Sequence, residues 1–215
     1  ESFLDQPGVS VVSVSMNCAD AAPPLRYRQR RYLPLGAASP TEKALLYRMP
    51  LCLESDGSKR RCIFVEGENG ELALSEPRGS VQNPCTPQAY VQLDPEESRY
   101  ARVHYEGPLL DKVLARGFPN ANGEAKLNTA QQLALLLDMA ALLRSGDLHA
   151  DRLLPVTARA ATVPGRYLVS AAARSVASLR ELVPVESRPA YARFVRKTFG
   201  PRLEALGLRA KAGED

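Results

Sequence analysis

The sequence predicts an α+β protein. An antiparallel, immunoglobulin-like β-sandwich is expected over residues 1–105, followed by an α-helical, HEAT-like stack over residues 106–215. Three observations predict this. Short β-branched and alternating runs, bounded by Gly, Pro, Asn or acidic residues, fill the first half. From Leu109 onward the apolar residues recur at three- and four-residue steps. The two kinds of run are segregated rather than interleaved, which is the α+β pattern.

Val9, Val11, Val12 and Val14, interleaved with Ser10, Ser13 and Ser15, form a first strand after the Pro7-Gly8 turn. Residues 25–33 alternate for part of their length, with Arg26, Arg28 and Arg30 on a wet face. Residues 45–54 and 61–66 flank Ser55-Asp56-Gly57-Ser58 and predict a hairpin. Residues 71–75, 90–93 and 100–105 complete about seven strands, a number and spacing that suit an immunoglobulin-like sandwich.

After Tyr105, Leu109, Leu110, Val113 and Leu114 sit at helical spacing and stop at Gly117, the expected C-terminal cap. Asn128 is the expected N-cap of a long helix through Leu133, Leu136, Leu137, Ala140, Ala141 and Leu143, closed by Gly146. Further helices are expected over residues 151–161, 167–182 and 189–206, with Pro164, Pro184 and Gly200-Pro201 as breaks or kinks. Ala- and Leu-rich helices with short connections fit an antiparallel stack.

Composition narrows the chemistry. Of the 215 residues 45% are apolar and 24% charged, enough to bury a core and too little charge bias for disorder. No apolar run approaches the roughly 20 residues of a membrane span, so none is expected. The chain opens at Glu1 without a Met, a basic n-region or an apolar stretch, so no intact signal peptide is expected and the start reads as mid-protein. The only histidines, His104 and His149, form no H-E-x-x-H, and no C-x-x-C is present. Nothing resembles G-x-x-x-x-G-K-[ST], G-x-G-x-x-G or G-x-S-x-G. The expectation is a chain with no catalytic, cofactor-binding or metal-ligating residue of its own.

Four cysteines, Cys18, Cys52, Cys62 and Cys85, all lie in the strand-rich half and allow three pairings. Cys52 and Cys62 flank the Asp56-Gly57 turn. A three-residue loop sets them opposite each other across the hairpin, within disulfide reach. That leaves Cys18 to pair with Cys85. Two disulfides would place the protein in an oxidising, exported compartment, periplasmic or secreted. The alternative is four buried free thiols in a cytoplasmic protein.

The net charge is +4, and the basic excess lies in the helical half. Arg152, Arg159, Arg166, Arg174, Arg180 and Arg188 recur along it, and between Arg152 and Arg202 the only acidic residues are Glu181 and Glu186. A basic flank can attract nucleic acid or an acidic partner. Without an RGG tract or aromatics interleaved in a basic loop, the expectation is a solvated face and no nucleic-acid partner.

Four stretches carry a resemblance to a family. The run from Phe3 through Gln6-Pro7-Gly8 to Val14 resembles the segment that follows the catalytic domain in zinc aminopeptidases of the aminopeptidase N type, with Phe3 where the family has Trp. Arg99-Tyr100-Ala101-Arg102-Val103-His104-Tyr105-Glu106 is similar to that family's G-Y-Y-R-V-x-Y-[DE], with Arg99 replacing the leading Gly and Ala101 the second Tyr. Leu133, Asp138, Leu142, Leu143 and Gly146 resemble its L-x-x-D…L…G helix, and Leu206-Gly207-Leu208 with Gly213-Glu214-Asp215 a stretch partway through its helical domain.

The resemblance implies a non-catalytic C-terminal portion, the sandwich plus the start of a truncated helical domain. Its partners would be the catalytic domain of the same polypeptide and the parent enzyme's peptide substrates. The sandwich would act as a spacer and the helices as a wall or lid over the peptide cavity. Zinc would belong to the missing catalytic domain, because the family's H-E-x-x-H, downstream Glu, oxyanion Tyr and G-x-M-E-N segment are not in this chain. The alternative is a stand-alone sandwich-plus-helix adaptor that binds another protein.

Overall fold

A computed structural model describes residues 6–19, 24–37, 46–55, 60–72, 85, 90–96, 100–120 and 123–207. Among these the chain is α+β, with two sheets and five α-helices. The strands are β1 (Ser10–Ser15), β2 (Leu25–Arg31), β3 (Met49–Ser55), β4 (Arg61–Val65), β5 (Asn69–Leu72), β6 (Val91–Leu93) and β7 (Ala101–Tyr105). One sheet has the order β5-β2-β1-β7 and the other β4-β3-β6.

Residue identity explains which way each strand faces. In β2 the side chains of Leu25, Tyr27 and Gln29 are buried while Arg26 and Arg28 are exposed, the alternation of a strand with one wet face. Register carries this across the sheet: Val12 opposes Gln29, and Val14 opposes Tyr27. Val12 also pairs with Val103, and Val14 with Tyr105. Val12, Val14, Tyr27, Val103 and Tyr105 share one buried core with Leu51, Leu53, Val65 and Val91 of the second sheet. The Tyr105 hydroxyl ties the sheets together by accepting the Leu93 N–H at 2.9 Å. Gln29, fully buried, is satisfied by donating to the carbonyls of Tyr47 and Gly67 and accepting from the Tyr47 N–H.

One expectation is corrected. The sheets are not antiparallel throughout, because β1 and β7 run parallel. Between them the chain passes through the second sheet, and so long a crossover lets β7 return in the same direction as β1. The hairpin turn at Asp56-Gly57-Ser58, residues 73–75, and the resemblance-bearing stretches at Phe3 and from Leu208 to Asp215 lie outside the described residues.

The helices are α1 (Pro108–Gly117), α2 (Thr129–Ser145), α3 (Ala150–Thr162), α4 (Arg166–Ala177) and α5 (Arg188–Leu206). Only Glu106 and Gly107 separate β7 from α1, with Pro108 at the helix start, where its missing N–H costs nothing. Asn128 caps α2 as expected, accepting the Gln131 N–H while the Gln131 side chain accepts the Asn128 N–H. Gly146 ends α2 in the left-handed conformation, φ 81°.

Two helix expectations are corrected. Gly117 is the last residue of α1, not a left-handed cap. A Cβ there would stand 3.0 Å from Leu127 Cδ1, so close packing explains the glycine. The fourth helix ends at Ala177 instead of continuing to Leu182, and a 3-10 turn over Arg180–Leu182 follows. The last helix runs through Gly200-Pro201 to Leu206, the end expected for it. In addition, α5 packs against α3 and touches α4 through the Tyr191 hydroxyl, which donates to the Val176 carbonyl at 3.0 Å.

Both predicted disulfides are present. Cys52 and Cys62 are directly opposed in the β3–β4 register, and Cys18 joins Cys85. Their sequence separations are 10 and 67 residues. On the chain-entropy model the shorter loop stabilises by about 3 kcal/mol and the longer by about 4 kcal/mol. Denaturant unfolding of the paired Ser variants should therefore show a larger loss for Cys18/Cys85 than for Cys52/Cys62. The reverse order would mean that loop entropy does not govern their contribution.

Candidate functional site

Chemistry-bearing side chains gather where β7 meets α2. The residues of β7 alternate: Val103 and Tyr105 face the shared core, while Arg102 and His104 face the opposite side of the sheet. The Val103 N–H donates to Asp138 Oδ2 at 3.0 Å, and Arg102 Nη1 lies 3.3 Å from Asp138 Oδ1. Asp138 is 2% exposed, so its carboxylate has left water and is compensated by a guanidinium and a backbone donor. The same contact gives an outer-strand N–H of the sheet a partner, which covers an edge where another chain could pair.

Further bonds hold α2 against the sheet. The Tyr32 hydroxyl donates to the Ala141 carbonyl at 3.2 Å, and the Leu35 N–H to the Arg144 carbonyl at 2.8 Å. Arg30 forms an ion pair with Asp147, just past the end of α2. The Ser145 hydroxyl donates to the same carboxylate.

Beside this junction the outer face of the four-stranded sheet forms an open cleft of about 520 Å³, lined by Ser13, Ser15, Arg26, Arg28, Glu71 and Glu106, among others. Its charges balance. Arg26 Nε lies 3.2 Å from Glu71, and Arg28 Nη2 lies 4.0 Å from Glu106. Both pairs are solvent-exposed and contribute little to stability. A face of two guanidiniums and two carboxylates suits polar, zwitterionic contact more than capture of a multiply charged anion. The alternation of Arg26, Arg28 and Arg30 was the sequence signal for this face, but nothing in that pattern placed Glu71 and Glu106 beside it.

His104 is the neighbour of Ser13, which lines the cleft. Its Nδ1 is 3.2 Å from the Ser13 hydroxyl, directly across the β1–β7 pair. Burial pushes its pKa below the ordinary value of 6.5. Glu106 and Asp147 pull it back up, and Arg30 and Arg28 reinforce the lowering. Ser13 is 4% exposed, so this hydroxyl–imidazole contact satisfies two partly withdrawn polar groups rather than presenting a nucleophile to solvent.

The remaining candidates disperse. His149 is an exposed residue immediately before α3. Among the described residues no group of three His, Cys, Asp or Glu side chains converges to hold a metal ion. No described helix is long and apolar enough to cross a membrane.

The basic row divides into two groups. Arg152 pairs with Asp111, and Arg202 donates to the Gly165 carbonyl at 3.2 Å. Arg159 donates to the carbonyls of Leu114 and Phe118 at 2.8 and 2.7 Å, closing the end of α1. Gln132 assists by donating to the Gly117 carbonyl at 2.8 Å. Arg166, Arg174, Arg180, Arg188, Arg193, Arg196 and Lys197 are exposed.

No known protein family matches the chain, and no curated protein matches it.

Two outcomes follow from this geometry. Asp138→Ala leaves the Val103 N–H and Arg102 without their acceptor and should cost about 2–4 kcal/mol in urea unfolding. Asp138→Asn keeps one acceptor oxygen and should cost about 1–2 kcal/mol; a loss below about 0.5 kcal/mol for Asp138→Ala would contradict the joint. His104 has a lower pKa folded than unfolded, so its contribution is full above the unfolded value and declines as pH falls from about 6.5 toward the folded value. Unfolding free energies across this window should slope more steeply for the wild type than for His104→Gln, and parallel slopes would show that His104 does not report the fold.

Proposed function

We propose that the chain is a non-catalytic, load-transmitting portion of an exported zinc-dependent aminopeptidase of the aminopeptidase N type. In this reading residues 1–105 form an immunoglobulin-like sandwich that acts as a spacer. Residues 106–215 begin a HEAT-like helical stack that forms one wall of the peptide cavity. The observation that carries the reading is the joint at Asp138. Of the four stretches that resemble the family, the β7 stretch with Arg102 and Val103 and the α2 stretch with Asp138 bond to each other.

A spacer must hold its angle, and the joint supplies the means. One carboxylate takes bonds from both the backbone and a side chain of β7, while Arg30, Tyr32 and Leu35 hold α2 from the side of β2. The two disulfides suit an oxidising compartment. Surface on the helical half suits a further helical layer: no described residue of α5 is buried, its Tyr191, Phe194, Val195 and Phe199 are half-buried, and Leu182 and Val185 are 75% and 70% exposed. Zinc, when bound by the catalytic domain, would supply a Lewis acid and an activated water. Residues of this chain would only position the wall against that site.

The reading is tested by extending the reading frame upstream and assaying the whole product. The expected outcome is an H-E-x-x-H segment and hydrolysis of aminoacyl amides that a chelator abolishes. Asp138→Ala in that enzyme should alter KM for peptides more than for a single aminoacyl amide, because only the longer substrate reaches the wall. A reading frame with no metallopeptidase segment would instead support the stand-alone adaptor.

A further inference from the structure

The two disulfides differ in their surroundings. Cys18 and Cys85 have Cα atoms 5.5 Å apart, within the ordinary span of about 4.4–6.8 Å. Cys52 and Cys62 have Cα atoms 3.9 Å apart, below that span. They occupy directly opposed positions of an antiparallel pair.

The hairpin bridge is also asymmetric. Cys52 is 6% exposed, whereas Cys62 is an exposed residue on the outer face of β4, beside exposed Phe64. Arg60 places Nη2 3.5 Å from Cys52 Sγ, and an ion pair with Glu96 holds the same guanidinium in place. A cation beside a sulfur favours its thiolate form, and a better-stabilised thiolate leaves faster in disulfide exchange.

We propose that Cys52–Cys62 is a thiol-exchange site that opens by attack of a low-molecular-weight thiol at Cys62. The incoming thiolate forms a bond to Cys62 Sγ as the Cys52–Cys62 bond breaks. The electron pair of that bond leaves on Cys52 Sγ beside the Arg60 guanidinium. A second thiolate then attacks the sulfur of the first thiol in the mixed disulfide, releasing the oxidised small thiol and the Cys62 thiolate. The protein disulfide gains two electrons, the two small thiols lose them, and the two proton equivalents end on Cys52 and Cys62. The other bridge differs in its surroundings, having an ordinary Cα spacing of 5.5 Å and the Met16 thioether 3.5 Å from Cys85 Sγ.

The test uses the oxidised chain, graded reduced glutathione, acid quenching, alkylation and peptide mass mapping. Cys52 and Cys62 should become alkylatable at a glutathione concentration about tenfold below that needed for Cys18 and Cys85, and the transient glutathione adduct should sit on Cys62. Arg60→Gln should slow opening of this bridge by about three- to fivefold, the effect of one removed charge in a solvent-exposed setting, and leave the other bridge unchanged. Opening of Cys18–Cys85 first or in parallel, an adduct on Cys52, or an Arg60→Gln rate equal to wild type would each overturn the proposal.

Discussion

The position of the helices against the sheet depends on a carboxylate withdrawn from water. An uncompensated charge at the depth of Asp138 would be strongly unfavourable, so the fold is tenable only if β7 presents donors where α2 presents the acid. Arg102 and the Val103 N–H meet that need together. They come from consecutive residues, one as a side chain and one as backbone, so sliding α2 along β7 or turning it about its axis breaks at least one bond. Apolar packing in the shared core tolerates small slips, whereas this joint does not.

The joint also orders its surroundings. With α2 fixed, its end brings Asp147 to Arg30, and the loop after β2 bonds back to the helix through Leu35. The cleft on the outer sheet face lies beside this covered region, and His104 lies between the two, sensing charges on β2, on the residue after β7 and just past α2. Farther out, α1 is closed by Arg159 from α3 and Gln132 from α2, so both following helices help to cap the first.

Much of this was legible in the sequence because periodicity encodes burial. The two-residue alternation at Tyr27 and Gln29 and the helical spacing through Leu136 and Ala140 located their elements. Asn128 and Gly146 marked the ends of α2 by local chemistry. The opposed Cys52 and Cys62 followed from a hairpin, where register is local. Long-range choices were not legible. Nothing in the Val-rich first strand states that its second neighbour runs parallel, and Gly117 resembled a helix stop although a packing contact with Leu127 explains it. Arg159 belonged to a row that read as a solvated face, yet its geometry makes it an internal cap. Asp138 appeared only within a pattern of resemblance, because a single acid in a helix carries no sign of which strand it will meet.

Asp138 locks α2 to β7, and native-state hydrogen exchange at the Val103 amide reads that lock. If the joint holds, this amide exchanges only through global unfolding, with an opening free energy equal to that of buried β1 amides. In Asp138→Ala its protection should fall well below that of β1 while the β1 amides keep exchanging together. A Val103 amide that exchanges in the wild type as readily as an exposed edge-strand amide would show that the carboxylate does not hold the strand.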